Sequence, residues 1–152
     1  MLRFIACILL LTSITSCHHC ECVASWGLKL GFIDFNGTDI DTIIVRKFEK
    51  GNNFNHLLDT VQWDHSNVQF DSQGSTFRMR SWDGDLTLKS IFDYQVMIPS
   101  INRTYNITEI DEPQIEGNCP GKTACVNIIV SCKVDGSFVS TDSTVEFLYL
   151  KK

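Results

Sequence analysis

The sequence predicts an all-β sandwich of eight or nine short strands, and three observations carry that prediction. Apolar and polar side chains alternate with a period of two, most plainly where Phe92, Tyr94, Val96 and Ile98 interleave with Asp93, Gln95 and Met97. Turn dipeptides punctuate the alternating stretches, among them Asn36-Gly37, Asp83-Gly84 and Asp135-Gly136. Helical periodicity is almost absent, and the segment Phe54–Asp59 is too short to be more than one helical turn or an irregular loop. Many short strands joined by tight turns bury their apolar faces best as two packed sheets.

Taken in order, Leu28, Leu30 and Phe32 share one face of a first strand that ends near Phe35. Thr42, Ile43, Ile44 and Val45 lie in a second, rich in β-branched side chains that fit a pleated surface. Gly51-Asn52-Asn53 breaks it, and further strand signals fall at Thr60–Trp63, Val68–Phe70 and Ser75–Arg80, where Phe77 and Met79 point one way. Leu86 and Leu88 resume alternation after Asp83-Gly84, and Pro99 closes the Phe92–Ile98 strand because proline cannot donate to a ladder. Tyr105, Ile107 and Ile110 mark the next strand, and Pro113 to Lys122 reads as a loop. Val126, Ile128, Val130, Cys132 and Val134 read as one buried face of a central strand, and Val145, Phe147 and Tyr149 as the inward face of the closing one. The expected sandwich, immunoglobulin-like or transthyretin-like, covers residues 28–152.

The first residues have a different logic. Met1-Leu2-Arg3 is a short positive start, Phe4 to Leu11 is an unbroken apolar run, and Thr12 to Cys17 turns small and polar. That is the layout of a cleaved secretory signal, too short to remain as a spanning helix. Ile14-Thr15-Ser16-Cys17 resembles the lipobox of bacterial lipoproteins. The resemblance implies that residues 1–16 are removed and that Cys17 carries the acyl chains holding the protein to a lipid bilayer. Several chains matter, since one gives only marginal membrane binding at about 0.8 kcal/mol per buried methylene. It implies a lipidated tether over residues 17–27. His18 stands after Cys17 in place of the aspartate of inner-membrane retention, which implies a cell outer membrane address. The lipobox followed by an all-β domain rich in Asn, Asp, Ile and Phe resembles small lipoproteins of the Bacteroidetes.

Composition bounds the partners. The chain has 13 Lys plus Arg against 18 Asp plus Glu and a formal net charge of −5. No basic stripe is present, which argues against nucleic acid and against electrostatic attraction to anionic lipid. Of seven cysteines, Cys7 leaves with the signal and Cys17 takes lipid. Cys20, Cys22, Cys119, Cys125 and Cys132 remain as disulfide candidates, with one odd thiol, and an exported location permits bridges. Cys119 and Cys125 would close a short loop. Cys132 sits on an apolar face, where a buried free thiol is the alternative.

The chemistry the sequence offers is mostly of the binding kind. GxSxG, HExxH and glycine-rich phosphate loops are lacking. His56 and His65 are the histidines outside the tether, and Asp64-His65-Ser66 has the residue types of a hydrolase. Adjacent positions on an extended chain cannot aim at one reaction centre, however. No catalytic residue, metal ligand or cofactor is assigned. Cys17-His18-His19-Cys20-Glu21-Cys22 has soft ligands for zinc or cuprous ion but no second cluster. Asp34, Asn36, Asp39 and Asp41 gather oxygen around Gly37, yet lack the order of a calcium loop and read as a turn. Asp41-Thr42-Ile43, Asp59-Thr60-Val61 and Asp142-Ser143-Thr144 resemble the periplasmic O-glycosylation motif of the Bacteroidetes. Trp63 and Trp82, each followed by aspartate, are the binding candidates, with burial in the core as the alternative. The expected function is a membrane-anchored cell-envelope protein whose non-enzymatic sandwich binds a protein partner, envelope component or glycan. The alternative is a small periplasmic hydrolase using His56 or His65.

Overall fold

A computed structural model describes residues 27–64, 69–80, 87–119, 122–141 and 147–152. The all-β expectation holds, and two sheets pack as a sandwich. Twelve strands lie among the described residues, more than the eight or nine the sequence predicts. Strands β1 (Lys29–Ile33), β4 (Gln69–Gln73), β5 (Thr76–Arg80) and β12 (Phe147–Lys151) form one sheet in the order β12-β1-β5-β4. The second sheet has β2 (Thr42–Glu49), β3 (Leu57–Asp64), β6 (Phe92–Ile98), β7 (Arg103–Asp111), β10 (Ser131–Val134) and β11 (Ser137–Ser140). Its order is β11-β10-β7-β6-β2-β3. β8 (Gln114–Cys119) and β9 (Lys122–Asn127) pair as a separate ribbon, within what the sequence reads as a loop. Among the described residues no helix is long and apolar enough to cross a membrane.

Among the described residues every strand pairing is antiparallel except one. β1 and β12 run parallel, with Leu30 beside Leu148, Gly31 beside Tyr149 and Phe32 beside Leu150. The inward rows of both sheets meet in one apolar cluster that includes Leu30, Phe32 and Leu148 from one side and Ile43, Val96 and Ile107 from the other. Each such side chain, when fully buried, contributes about 1.5–3 kcal/mol.

Three of the sequence-level details are corrected. The central strand expected over Val126–Val134 is two strands, since residues 128–130 leave the ladder between β9 and β10. Ile129, not Ile128, is the buried residue of that crossing. In β12 the phase is the reverse of that expected: Leu148 and Leu150 are buried while Phe147 and Tyr149 are half-buried. Asp93, expected on the polar face, is only 4% exposed, because its carboxylate accepts the Gly51 N–H at 2.7 Å and pins the β2–β3 turn.

Other details follow local backbone chemistry. Asp135 and Gly136 both have positive φ, 50° and 78°, which is the type I′ geometry that joins β10 to β11 in a tight hairpin. Glu109 at φ 50° interrupts β7, and the β10 register shifts opposite it. The bulge explains how Ile107 and Ile110, three residues apart, are both buried.

Candidate functional site

The six-stranded sheet is wider than the four-stranded one, and part of its inner face is walled by a connecting segment rather than a strand. Thr87-Leu88-Lys89 is tied to the start of β1, where Leu28 N–H donates to Leu88 O at 2.9 Å and Leu88 N–H to Leu28 O at 2.8 Å. Gly27 makes this approach possible. Its φ is 88°, and a Cβ there would lie 2.7 Å from Leu88 O.

Between this segment and the sheet lies a cleft of about 250 Å³. Its floor is built from cross-strand rungs of β2 and β3. Trp63 pairs with Ile43, Val61 with Val45 and Asp59 with Lys47, so alternate residues of both strands face the same way. β6 adds Phe92 and Tyr94, and Leu88 supplies apolar wall from the connecting segment. The mouth is charged. Lys47 Nζ sits 3.3 Å from Asp59 Oδ2 and 5.2 Å from the centre of the Phe92 ring, a cation–π arrangement. The Tyr94 hydroxyl accepts the Lys89 N–H at 2.8 Å, and burial pushes its pKa up to about 12, so it stays a neutral phenol.

Trp63 is the residue of interest. It is 2% exposed, it lines the cleft, and its buried indole N–H finds no acceptor among the described residues. A buried donor left unpaired costs about 1–3 kcal/mol. The sequence offers Trp63 as either a binding residue or core, and it is a core residue that also forms a cleft wall.

The remaining sequence candidates separate widely. Cys17, Cys20, Cys22, His65 and Trp82 lie outside the described residues, as do the histidines of the tether. Cys132 is a free thiol, 1% exposed in the core, and desolvation pushes its pKa up to about 11. That is the inert, protonated form. The backbone register sets Cys119 opposite Lys122 and Cys125 opposite Glu116, so those two cysteines are not cross-strand partners.

His56 stands on the exposed turn before β3. Its Nδ1 is 2.9 Å from Glu49 Oε2, and that contact, with the Asn52 amide at 3.0 Å, lowers the Glu49 pKa. Among the described residues no hydroxyl or thiol is hydrogen-bonded to this ring. The Asp34–Asp41 stretch is a turn knitted by protein groups. Asp39 accepts the Asn36 N–H and the Lys152 ammonium, each at 2.7 Å, and Lys151 approaches Asp34 at 3.8 Å. No cluster of three or more metal-ligating side chains occurs among the described residues.

Sequence reasoning passes over Lys47, Asp59, Phe92 and Tyr94 as site residues. A signal for two of them exists. Lys47 continues the Ile43–Val45 phase and Asp59 the Trp63–Val61 phase, so each is a charge on a core-facing row at the end of its strand. Such a placement marks the mouth of a sandwich rather than its outer surface.

No family model matches the chain, and neither a curated protein nor a solved structure matches it.

Proposed function

We propose that this chain is a lipid-anchored protein of the cell envelope whose sandwich is a non-enzymatic binding module. Its ligand is an envelope component, either a glycan or a group presented by a protein partner, and it enters the cleft beside Trp63. The anchor rests on Ile14-Thr15-Ser16-Cys17, with the outer membrane as address and Cys17 as the acylated residue. The binding role rests on one observation above the others: the cleft combines aromatic walls with a mixed-charge mouth, and the buried Trp63 is part of its lining. Concave sites lined by apolar and aromatic side chains with a few placed polar groups are the usual form of a ligand site.

The hydrolase reading has less to work with. The His56–Glu49 pair lies exposed on a turn away from the cleft lining, and among the described residues no nucleophile is hydrogen-bonded to this base, as the required constellation demands.

The test uses the full chain extracted from membranes. Intact mass should show residue 17 as the amino terminus with a large acyl increment. The same material, immobilised in detergent, should retain solubilised envelope glycan or protein. Phe92→Ala and Lys47→Ala should lower that retention while leaving the mass unchanged. Retention equal in all three proteins moves the binding surface away from the cleft. An unlipidated Cys17 removes the anchor.

A further inference from the structure

Resting on the cleft as the binding site, we propose that its occupant is a second copy of this chain, which inserts Phe138 at the mouth beside Lys47, Asp59 and Phe92. Among the described residues four large hydrophobic side chains are exposed. Three of them border the mouth. Leu58 precedes Asp59 in the chain, Ile91 precedes Phe92, and Leu57 pairs with Phe48, the neighbour of Lys47. The cleft thus opens through an apolar rim, which a small polar molecule would leave wet and a protein surface would cover. The fourth is Phe138, 70% exposed on β11. It stands at one edge of the six-stranded sheet, and β3, which helps to floor the cleft, is the opposite edge.

The surroundings of Phe138 match those of the cleft. Cys132 and Val139, paired across β10 and β11, face the core, so the next rung, Lys133 and Phe138, faces outward. Lys133 Nζ sits 2.7 Å from Glu109 Oε1, which sets an exposed lysine–carboxylate pair beside the phenyl ring. The mouth has a pair of the same kind, Lys47 and Asp59 at 3.3 Å. On docking, Lys133 turns to Asp59 of the neighbour and Glu109 to its Lys47, so the two pairs exchange partners and no charge is left unmatched. Phe92 and Tyr94 already meet edge to face with ring centroids 6.3 Å apart, and an incoming phenyl extends that packing. The volume of about 250 Å³ lies below the range of drug-sized sites and suits one large side chain. The net charge of −5 opposes any contact between copies that lacks such local matching. Side-chain insertion is favoured over strand addition, because Asp59 Oδ1 already accepts the Thr60 N–H of β3 at 2.8 Å. With Phe138 and the cleft at opposite edges of one sheet, the contact is heterologous. Each copy fills one neighbour and is filled by another, which builds rows or rings.

The experiment uses the full chain in detergent, with micelles in large excess over protein. Phe138→p-benzoylphenylalanine supplies a photoreactive group, and nitrogen-14 donor copies are mixed with nitrogen-15 acceptor copies so that bonds between copies are recognised by mass. Irradiation should join residue 138 of the donor to cleft-lining positions of the acceptor, within 45–63 or 87–94. Asp59→Lys in the acceptor leaves two ammoniums at the mouth and should lower the yield about tenfold. Lys133→Glu in the donor should restore it, a rescue that a misfolded acceptor cannot give. Absence of cleft crosslinks between copies, or a yield indifferent to Asp59→Lys, overturns the inference, as does an Asp59→Lys loss that Lys133→Glu leaves unrepaired. If the crosslinks are absent while Phe92→Ala and Lys47→Ala still lower retention of envelope material, the cleft survives as a binding site and only this inference falls. If retention is indifferent to those variants as well, both fall.

Discussion

Two aromatic regions of this molecule are finished in opposite ways. Along β12, Tyr149 lies across Gly31, its hydroxyl accepts the Arg78 Nε–H at 2.7 Å, and the Arg78 guanidinium stands 5.9 Å from the ring centre. Phe147 sits beside it with Lys29 5.9 Å from its ring centre. From the other sheet, Tyr105 donates to Lys151 O at 2.6 Å, and that phenol too is raised in pKa by burial. Both phenol hydroxyls of this region have a partner. At the cleft, Trp63 is as deeply buried as any of these rings, and its N–H has no partner among the described residues. The contrast separates aromatic residues that hold the fold from one that the fold leaves with spare bonding capacity. A region whose phenols are paired is read as structure; the cleft, with its charged mouth and half-buried Phe92, is where a ligand has room.

The largest effect that tests this division is expected from Leu148→Ala. Leu148 is fully buried beside Leu30, and β12 meets the described part of its sheet through β1 alone. Deleting such a side chain typically costs about 2–5 kcal/mol through lost transfer energy and the cavity left behind. Urea denaturation should show the unfolding free energy fall by that amount, through a lower midpoint with the slope unchanged. A loss under about 1 kcal/mol would mean that β12 is not what holds this edge, and the division would lose its structural half.

A sharper probe is Gly31→Ala. An added Cβ would lie 2.5 Å from Tyr149 Cδ1, and the ring cannot simply swing aside while Arg78 holds its hydroxyl. Overpacking of this kind costs about 1–3 kcal/mol, offset in part by the usual gain of replacing glycine in a strand. The cost belongs to the pair. In a Tyr149→Ala background Gly31→Ala should become neutral or stabilising, which a double-mutant cycle reads directly. An unchanged cost in that background would place the clash elsewhere.

The same strand shows what the sequence could convey. In Phe147-Leu148-Tyr149-Leu150 both phases of the alternation are apolar, so periodicity cannot choose which row faces inward. The choice is made by the partner: Leu30 and Phe32 of β1 require leucines opposite, and Gly31 gives Tyr149 room on the other side. Ile128-Ile129-Val130 poses the same ambiguity, and there the chain crosses from β9 to β10 outside any strand. Where the phases differ in polarity, as in Tyr94–Ile98 or Leu28–Phe32, the expected face is the buried one. The type I′ turn at Asp135-Gly136 was equally legible, because its backbone demands are local. The cleft was not. Its lining comes from β2, β3, β6 and the 87–89 segment, and no local pattern states that Lys47, Asp59 and Tyr94 become neighbours across three strands.

The smallest expected effect concerns acid, and it belongs to the β12 region. Asp39 is held below its ordinary pKa first by the hydrogen bond from Lys152, then by the Asn36 N–H. Lys152 also donates its backbone N–H to Ile33 O at 3.1 Å, so one residue ties the end of β12 both to β1 and to the turn that follows it. A carboxylate whose pKa is depressed on folding contributes stability above its unfolded pKa. That contribution is lost as pH falls through the lower, folded value. The midpoint in urea should therefore drop as pH is taken from 6 toward 2, and Asp39→Asn should make the part of the drop due to this group disappear. Glu49 is depressed in the same direction by His56 and Asn52, so it adds a second acid-sensitive contact at the β2–β3 turn. Because exposed ion pairs are weak and screened by salt, the Asp39 increment should shrink further at high ionic strength. An Asp39→Asn protein with the same acid profile as the parent would show that Lys152 rests against the turn without holding it, leaving the apolar row of Leu148 and Leu150 as the whole of the attachment.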